Sequence, residues 1–312
     1  MSKLGIGMIS CVFGIVVAGT AMAQQAPAAG VPVRMVVTAE ARHGSAAPAV
    51  NRDDVKVSEG KERDTVTEWT PAQGDNAALE LFILIDDGSN TTLGSQLEDI
   101  RQFINAQPAT AKVGVAYMQN GIARVVQDLT SDHAQASKSL RLPMGAGGAD
   151  SSPYFALSDL AKRWPASNAR HSVLMITDGI DRYYGAGDLE DPYVQNAIDD
   201  SVKAGIIVSA IYTPGVGHFA HSYWQTYWGQ IYLSQVADKT GGEGYYIGMT
   251  GAPVSFVPYL DDLGHRLEHQ YFLSFLAKPP KKAGFAQVKI TTEIRDVDLV
   301  SAGRVWVPAP ER

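Results

Sequence analysis

Residues 79–90 read LELFILIDDGSN, and residues 172–179 read SVLMITDG. Each is a run of β-prone apolar residues that stops abruptly at acidic and small polar ones. Continuous apolar runs of this length suit strands buried on both faces, as in a parallel sheet covered by helices. The chain must turn directly after each run, which puts Asp86, Asp87 and Asp178 at the carboxyl ends of central strands. In an open α/β sheet that edge, near the switch point in strand order, is where ligands bind. Carboxylates from two strands meeting there repel one another unless a cation or a set of hydrogen-bond donors neutralises them.

Outward from these runs the pattern alternates between strand and helix. Helical patterns fall at 96–105, 153–164, 192–204, 222–240 and 258–268, with another helix running to Leu140 behind the cap Thr130-Ser131-Asp132. Buried strands are expected at 112–118 (KVGVAYM) and 206–212 (IIVSAIY), an edge strand at 121–129, and a last short strand at 244–248. Before this region, 31–38, 54–58 and 65–69 read as strands, with a turn at Glu59-Gly60-Lys61. After it, 270–277 (QYFLSFLA), 286–292 (AQVKITT) and 298–307 read as three strands between Lys-, Pro- and Gly-containing turns. The expected architecture is α/β: a doubly wound, mostly parallel, Rossmann-like sheet over 77–268. A small antiparallel β unit is built jointly by 31–76 and 269–312.

The 312 residues allow one large domain and a smaller one. A hydrophobic share of 45% with 19% charged residues marks a well-buried globular chain. The net charge of −7 gives no basic surface for nucleic acid or anionic lipid. Residues 1–23 read as a secretory signal: Lys3 supplies the positive region, 4–17 the apolar stretch, and Ala21-Met22-Ala23 the small-x-small cleavage pattern. Cleavage after Ala23 leaves Gln24 first, followed by a small-residue linker over 24–30, and leaves no membrane span. Cys11, the only cysteine, lies within the signal, so the exported chain holds its core without disulfides.

The two acidic strand ends resemble those of the von Willebrand factor type A domain. Its metal-ion-dependent adhesion site uses D-x-S-x-S after the first strand, a Thr in a later loop, and an Asp after the fourth strand. Asp86 matches the first Asp and Asp178 the last, while Gly88 and Asn90 stand at the two serine positions. The stretch Gly147-Gly148-Ala149-Asp150-Ser151 is similar to the loop that carries the Thr, with Ser151 its counterpart. The layout also resembles an exported bacterial branch, the VWFA-related proteins known from Acidobacteria, through Glu59-Gly60-Lys61 and Gln270-Tyr271-Phe272-Leu273-Ser274-Phe275. The resemblance implies a metal site at Asp86, Asn90, Ser151 and Asp178 for Mg²⁺, or for Mn²⁺ or Ca²⁺. Mg²⁺ requires six oxygens in near-octahedral geometry. Gly88 removes one ligand, whereas Asn90, Ser89 and Asp87 offer oxygens of their own. The alternative is that Asp86 caps the following helix and hydrogen-bonds the loop backbone.

Two further patterns bear on function. His265-Arg266-Leu267-Glu268-His269 matches the H-x-x-E-H zinc signature, in which both histidines share a helix face and Glu268 acts as base. A third zinc ligand is not evident nearby. No Gly-x-Ser-x-Gly elbow is present, Gly215-Val216-Gly217-His218 is too short for a dinucleotide fingerprint, and no cysteine remains as a nucleophile. An aromatic cluster, Phe219, Tyr223, Trp224, Tyr227, Trp228 and Tyr232, falls near the same sheet edge. Tyr and Trp at a surface mark partner contacts, so Tyr223, Trp224 and His221 are expected to be exposed, with Tyr183 and Tyr184 extending the patch. Trp228 and Tyr232 are expected in the core.

The sequence therefore points to an exported, non-enzymatic binding, adhesion or assembly protein of the periplasm, cell surface or external medium. Its protein partner would approach the Asp86/Ser151/Asp178 edge through an acidic side chain, touching Asp87, Ser89, Tyr183, His221, Tyr223 and Trp224. The alternatives are a zinc hydrolase built on His265, Glu268 and His269, and a scaffold whose metal site has lapsed.

Overall fold

The computed structural model describes residues 30–42, 48–89, 91–145, 152–184, 187–215 and 222–309. The signal segment, Asn90, Ser151, His218, Phe219 and His221 lie outside the described residues.

Chain order gives β1 (Val31–Ala41), β2 (Val55–Glu59), β3 (Glu62–Pro71), β4 (Leu79–Asp86), α1 (Leu97–Asn105), β5 (Ala111–Gln119), β6 (Ile122–Thr130) and α2 (His133–Lys138). Next come α3 (Pro153–Lys162), β7 (Arg170–Thr177), α4 (Pro192–Lys203), β8 (Ile206–Tyr212), α5 (Tyr223–Thr240), β9 (Gly244–Tyr245) and α6 (Val257–Glu268). The chain ends in β10 (Gln270–Ala277), β11 (Gly284–Gln287), β12 (Lys289–Thr292), β13 (Val297–Val300) and β14 (Arg304–Val307).

The central sheet has the order β6-β5-β4-β7-β8-β9. Renumbered within this domain that is 3-2-1-4-5-6, the doubly wound order, with the switch point between β4 and β7. All its pairs are parallel except β5 with β6. Every residue of β4 is buried, and its alternation feeds two cores. Leu81, Ile83 and Ile85 pack with Ile100 and Ile104 of α1 and with Leu260 and Leu263 of α6. Phe82 and Leu84 pack on the other face with Leu157 of α3, Ile198 of α4 and Leu233 of α5. Helices on both faces explain why the run is continuously apolar instead of alternating.

The second sheet, β12-β2-β3-β10-β1-β13, is antiparallel throughout and draws its strands from both ends of the chain. Val33, Val37, Val57, Leu273 and Phe275 form its own core. Two expected strands divide in the structure. The 286–292 run breaks at Val288, whose N–H donates to the Gly303 carbonyl at 2.9 Å; β11 then pairs with β14 and β12 with β2. The 298–307 run likewise splits into β13 and β14 around 301–303.

The chain passes between the two sheets near Ala77 and again near His269, and one side chain ties both crossings. Arg170, at the start of β7 and 5% exposed, donates to the carbonyls of Ala77 at 3.0 Å and Leu267 at 2.5 Å. It also donates to Oε1 of Gln270 at 2.8 Å. Burial holds its pKa down at about 10. No described helix is long and apolar enough to cross a membrane.

Candidate functional site

Parallel registry places Ile85 of β4 beside Ile176 of β7, so Asp86 and Thr177 end neighbouring strands at the switch point. Thr177 Oγ1 donates to Asp86 Oδ2 at 2.7 Å, and the Gly88 N–H donates to Oδ1 at 2.8 Å. One residue on, Asp178 Oδ1 accepts from the Ile180 N–H at 2.9 Å, while its Oδ2 is ion-paired to Arg182. Asp86 and Asp178 are 4% and 2% exposed. The expected meeting of carboxylates therefore occurs, and Arg182 is the cation that neutralises it. Burial acts to lower the pKa of Arg182, but the charges of Asp178 and Asp86 outweigh it and hold the group above its usual value. Burial, followed by the charge of Asp178, pushes Asp86 up to about 6 even though Arg182 pulls the other way.

The ion pair is roofed by backbone. Ser89 bridges to Gly215 beyond β8, and a Cβ on Gly215 would sit 2.1 Å from Asp178 Oδ2 and 2.9 Å from Arg182 Nη2. Only glycine allows that approach. Ser89 Oγ is buried there without a hydrogen-bond partner. A resident Mg²⁺ fits this donor set poorly. Two carboxylates already hold a guanidinium, Gly88 offers no side chain, and one orphan hydroxyl leaves the described ligands far short of six oxygens.

Of the expected metal ligands, the structure brings Asp86 and Asp178 together, whereas Asn90 and Ser151 lie outside the described residues. Asp87 and Ser89, expected at a contact surface, are both buried, at 0% and 1% exposure. Asp87 faces away from the pair and binds Arg141, whose Nη1 and Nη2 lie 2.6 and 2.9 Å from its two oxygens. Gln119 and the Met144 N–H also donate to it. Burial would raise its pKa, but these donors reverse that and hold the carboxyl below its usual range. Arg141 in turn lies over the Tyr117 ring at 3.8 Å. Asp87 thus anchors the segment after α2 to β5.

The aromatic residues divide between surface and core, with Trp228, expected in the core, only half-buried. Tyr223, Trp224 and Tyr227 are 78%, 58% and 46% exposed at the start of α5, and Tyr183 is 53% exposed beside the Asp178 loop. Tyr232 is buried, with its ring edge-on to Tyr154 at 5.9 Å. The helix reaches the loop through glycine: a Cβ on Gly179, at φ +70°, would lie 2.3 Å from the Gly229 carbonyl oxygen. Sequence reasoning missed Phe155 and Tyr193, whose rings pack at 4.6 Å and support Tyr183. It also missed Arg182 and Arg141. Arg182 stands only four residues after Asp178, so that signal was available; Arg141 lies 54 residues from Asp87 and was not.

The zinc alternative does not assemble. Helix α6 ends at Glu268, and His269 caps it in a non-helical conformation, its Nδ1 bonded to the His265 carbonyl at 2.7 Å. One ring nitrogen of His269 is therefore engaged by its own helix's backbone. Among the described residues no group of three His, Cys, Asp or Glu side chains is placed to hold a metal ion.

Strand order and the single antiparallel edge strand make this a doubly wound α/β protein, the fold that the resemblance to the von Willebrand factor type A domain implies. No protein-family profile and no curated protein matches the chain. Several solved structures are similar to it. A von Willebrand factor type A protein from Catenulispora acidiphila is 13% identical, with 92% of this chain and 76% of that one covered and a TM-score of 0.45. An aerotolerance-related membrane protein from Bacteroides fragilis is 16% identical over 61% of this chain and 98% of that one, with a TM-score of 0.42. The BatB protein from Bacteroides thetaiotaomicron is 14% identical over 61% and 97%, also with a TM-score of 0.42.

Proposed function

We propose that the chain is an exported, non-enzymatic protein-binding module whose contact surface is the aromatic edge beside the Asp178 loop. The observation that carries this reading is the exposure of Tyr223, Trp224, Tyr227 and Tyr183 together at the carboxyl end of the central sheet. Large aromatic side chains contribute most where a partner covers them, because they bury area at little conformational cost. Export rests on the signal pattern of residues 1–23. In this reading the carboxylate pair is structural: Arg182 supplies the positive charge, and no divalent ion is required for binding. A partner's acidic side chain then finds no open cation at Asp86 and Asp178, so the partner engages the rings.

Crosslinking in cells that make the full chain, followed by its purification, tests the surface. A discrete product with a second protein should form with the wild type. It should disappear in a Tyr223→Ser/Tyr227→Ser variant that melts like the wild type. A product unaffected by that variant refutes the assignment.

A further inference from the structure

Behind the exposed rings, α5 forms one wall of a small cavity. Trp224, Trp228 and Tyr232 follow one another at helical spacing, with ring centroids 5.8 Å apart at each step. Opposite them stand Asp181, from the loop after β7, and Asp191, which caps α4; the space between is about 20 Å³. That volume accommodates one water molecule or one ammonium head group. Trp224 also belongs to the exposed patch and so places the mouth of the cavity at the surface.

The polar groups here are oriented but incompletely used. Asp191 is 1% exposed; its Oδ1 accepts from the N–H groups of Tyr193 at 2.8 Å and Val194 at 3.2 Å, while Oδ2 is buried with no hydrogen bond. Asp181 is 5% exposed, and its Oδ1 accepts from the N–H groups of Tyr183 at 2.8 Å and Tyr184 at 3.1 Å. Its other oxygen lies near Ser152. Trp228 Nε1 is likewise buried and unbonded. Burial pushes both carboxyls above their usual range, and the charged neighbours acting on Asp191, namely Asp181 and Asp188, share its sign. The cation acting on Asp181 is Arg182, which Asp178 already engages. A buried carboxylate oxygen with no donor and no counter-ion is costly, and here two carboxylates face a wall of π-systems.

We infer that this cavity is a site for a primary alkylammonium group, a lysine side chain of the protein partner, held between the Asp181 and Asp191 carboxylates and the Trp224 and Trp228 rings. The inference rests on the partner-binding reading of the aromatic edge and names the chemistry it selects. An ammonium ion donates hydrogen bonds to the free Oδ2 of Asp191 and to Asp181, and aromatic faces attract cations. The apolar stem of the same side chain crosses the Trp224 ring on the way in. A hard metal ion is a poorer occupant, since it needs six or more oxygens and gains little from indole.

The test uses Nα-acetyl-lysine amide as probe, Nα-acetyl-norleucine amide as the uncharged control, and CaCl₂ as the metal control, followed by tryptophan fluorescence and calorimetry. The lysine amide should saturate at about millimolar concentration or below, and the norleucine amide should not bind. Asp191→Asn retains a good helix cap and should weaken the lysine amide at least tenfold at unchanged melting temperature; Trp224→Ala should weaken it as well. Equal binding of the two amides, no binding of either, or calcium binding without lysine binding overturns the inference. The Tyr223→Ser/Tyr227→Ser variant separates the two claims, because neither tyrosine lines the cavity. If the lysine amide fails while crosslinking still depends on those tyrosines, the cavity assignment falls and the aromatic surface stands.

Discussion

Replacing Arg182 by Met tests the internal cation directly. The substitution keeps an unbranched apolar stem and removes the charge between Asp86 and Asp178, which are 4% and 2% exposed. Removing one partner of a buried pair leaves an uncompensated charge and costs about 3–5 kcal/mol. Asp86 is already pushed to about 6 with Arg182 pulling it down, so without Arg182 its carboxyl rises further. The variant should therefore take up a proton on folding at neutral pH. In a chain of this size each 1 kcal/mol moves the melting temperature by roughly 2–4 °C, which predicts a loss of about 10 °C at pH 8 and a smaller loss at pH 5. Arg182→Met/Asp178→Asn should recover part of the loss, because the double variant buries one carboxylate fewer. Thermal melts of wild type, Asp178→Asn and both Arg182 variants form the cycle, each run with chelator and then with Mg²⁺. With the guanidinium gone, Mg²⁺ can enter and should raise the melting temperature of Arg182→Met while leaving the wild type unchanged. A wild-type protein stabilised by Mg²⁺ as strongly as the variant, or a variant that melts like wild type at pH 8, refutes the reasoning.

Three other outcomes follow from the same geometry. Asp86 and Asp64 both hold their protons up to about pH 6 when folded, whereas an unfolded Asp releases its proton near 4; between those values the folded state binds more protons, so stability falls as pH rises. For Asp86 the fall is about 3 kcal/mol; Asp87, held low, opposes it only below about pH 4. Urea titrations from pH 4 to 8 should show greatest stability near pH 4–5, with Asp86→Asn flattening the decline. Arg170→Met strips a buried donor from Ala77, Leu267 and Gln270, which should cost about 2–4 kcal/mol and expose the crossings near 77 and 269 to limited proteolysis; unchanged cleavage there would contradict the clamp. Asp87→Asn should lower stability by about 2 kcal/mol, since Arg141 is partly solvated, and leave crosslinking through the aromatic edge intact. Lost crosslinking at unchanged stability would return Asp87 to the contact surface.

What could be read in advance depended on how local each cause is. The ends of β4 and β7 were legible because burial on both faces writes itself into consecutive residues, and the turn that follows is forced. Helix starts at Pro153, Pro192 and Ser222 were legible for the same reason: Pro early in the helix or a capping hydroxyl is a neighbour-scale signal. The breaks at Val288 and at 301–303 were not, because each half of a β-prone run goes to a different neighbouring strand and only the assembled sheet decides which. Asp87 misled because its neighbour Asp86 faces the switch point, while its own partner, Arg141, comes from the far end of α2. Asp191 was hidden by its second role, since a residue chosen as a helix cap gives no sign that its other oxygen lines a cavity.

The tethered guanidinium also changes the kind of partner this edge selects. A divalent ion at a strand end keeps a coordination position open, so recognition there favours an incoming carboxylate. A guanidinium already bonded to Asp178 has no comparable vacancy, and its charge is spent inside the fold. Electrostatic complementarity then favours the opposite sign. The excess negative charge has been left one step away from Arg182, at Asp181 and Asp191, where the described groups include aromatic rings to accept a cation's stem and head. Internal neutralisation at the switch point and cation capture beside it are therefore coupled: Arg182→Met should raise the negative potential of the neighbouring cavity and tighten the lysine amide, whereas Mg²⁺ bound in that variant should reverse the gain.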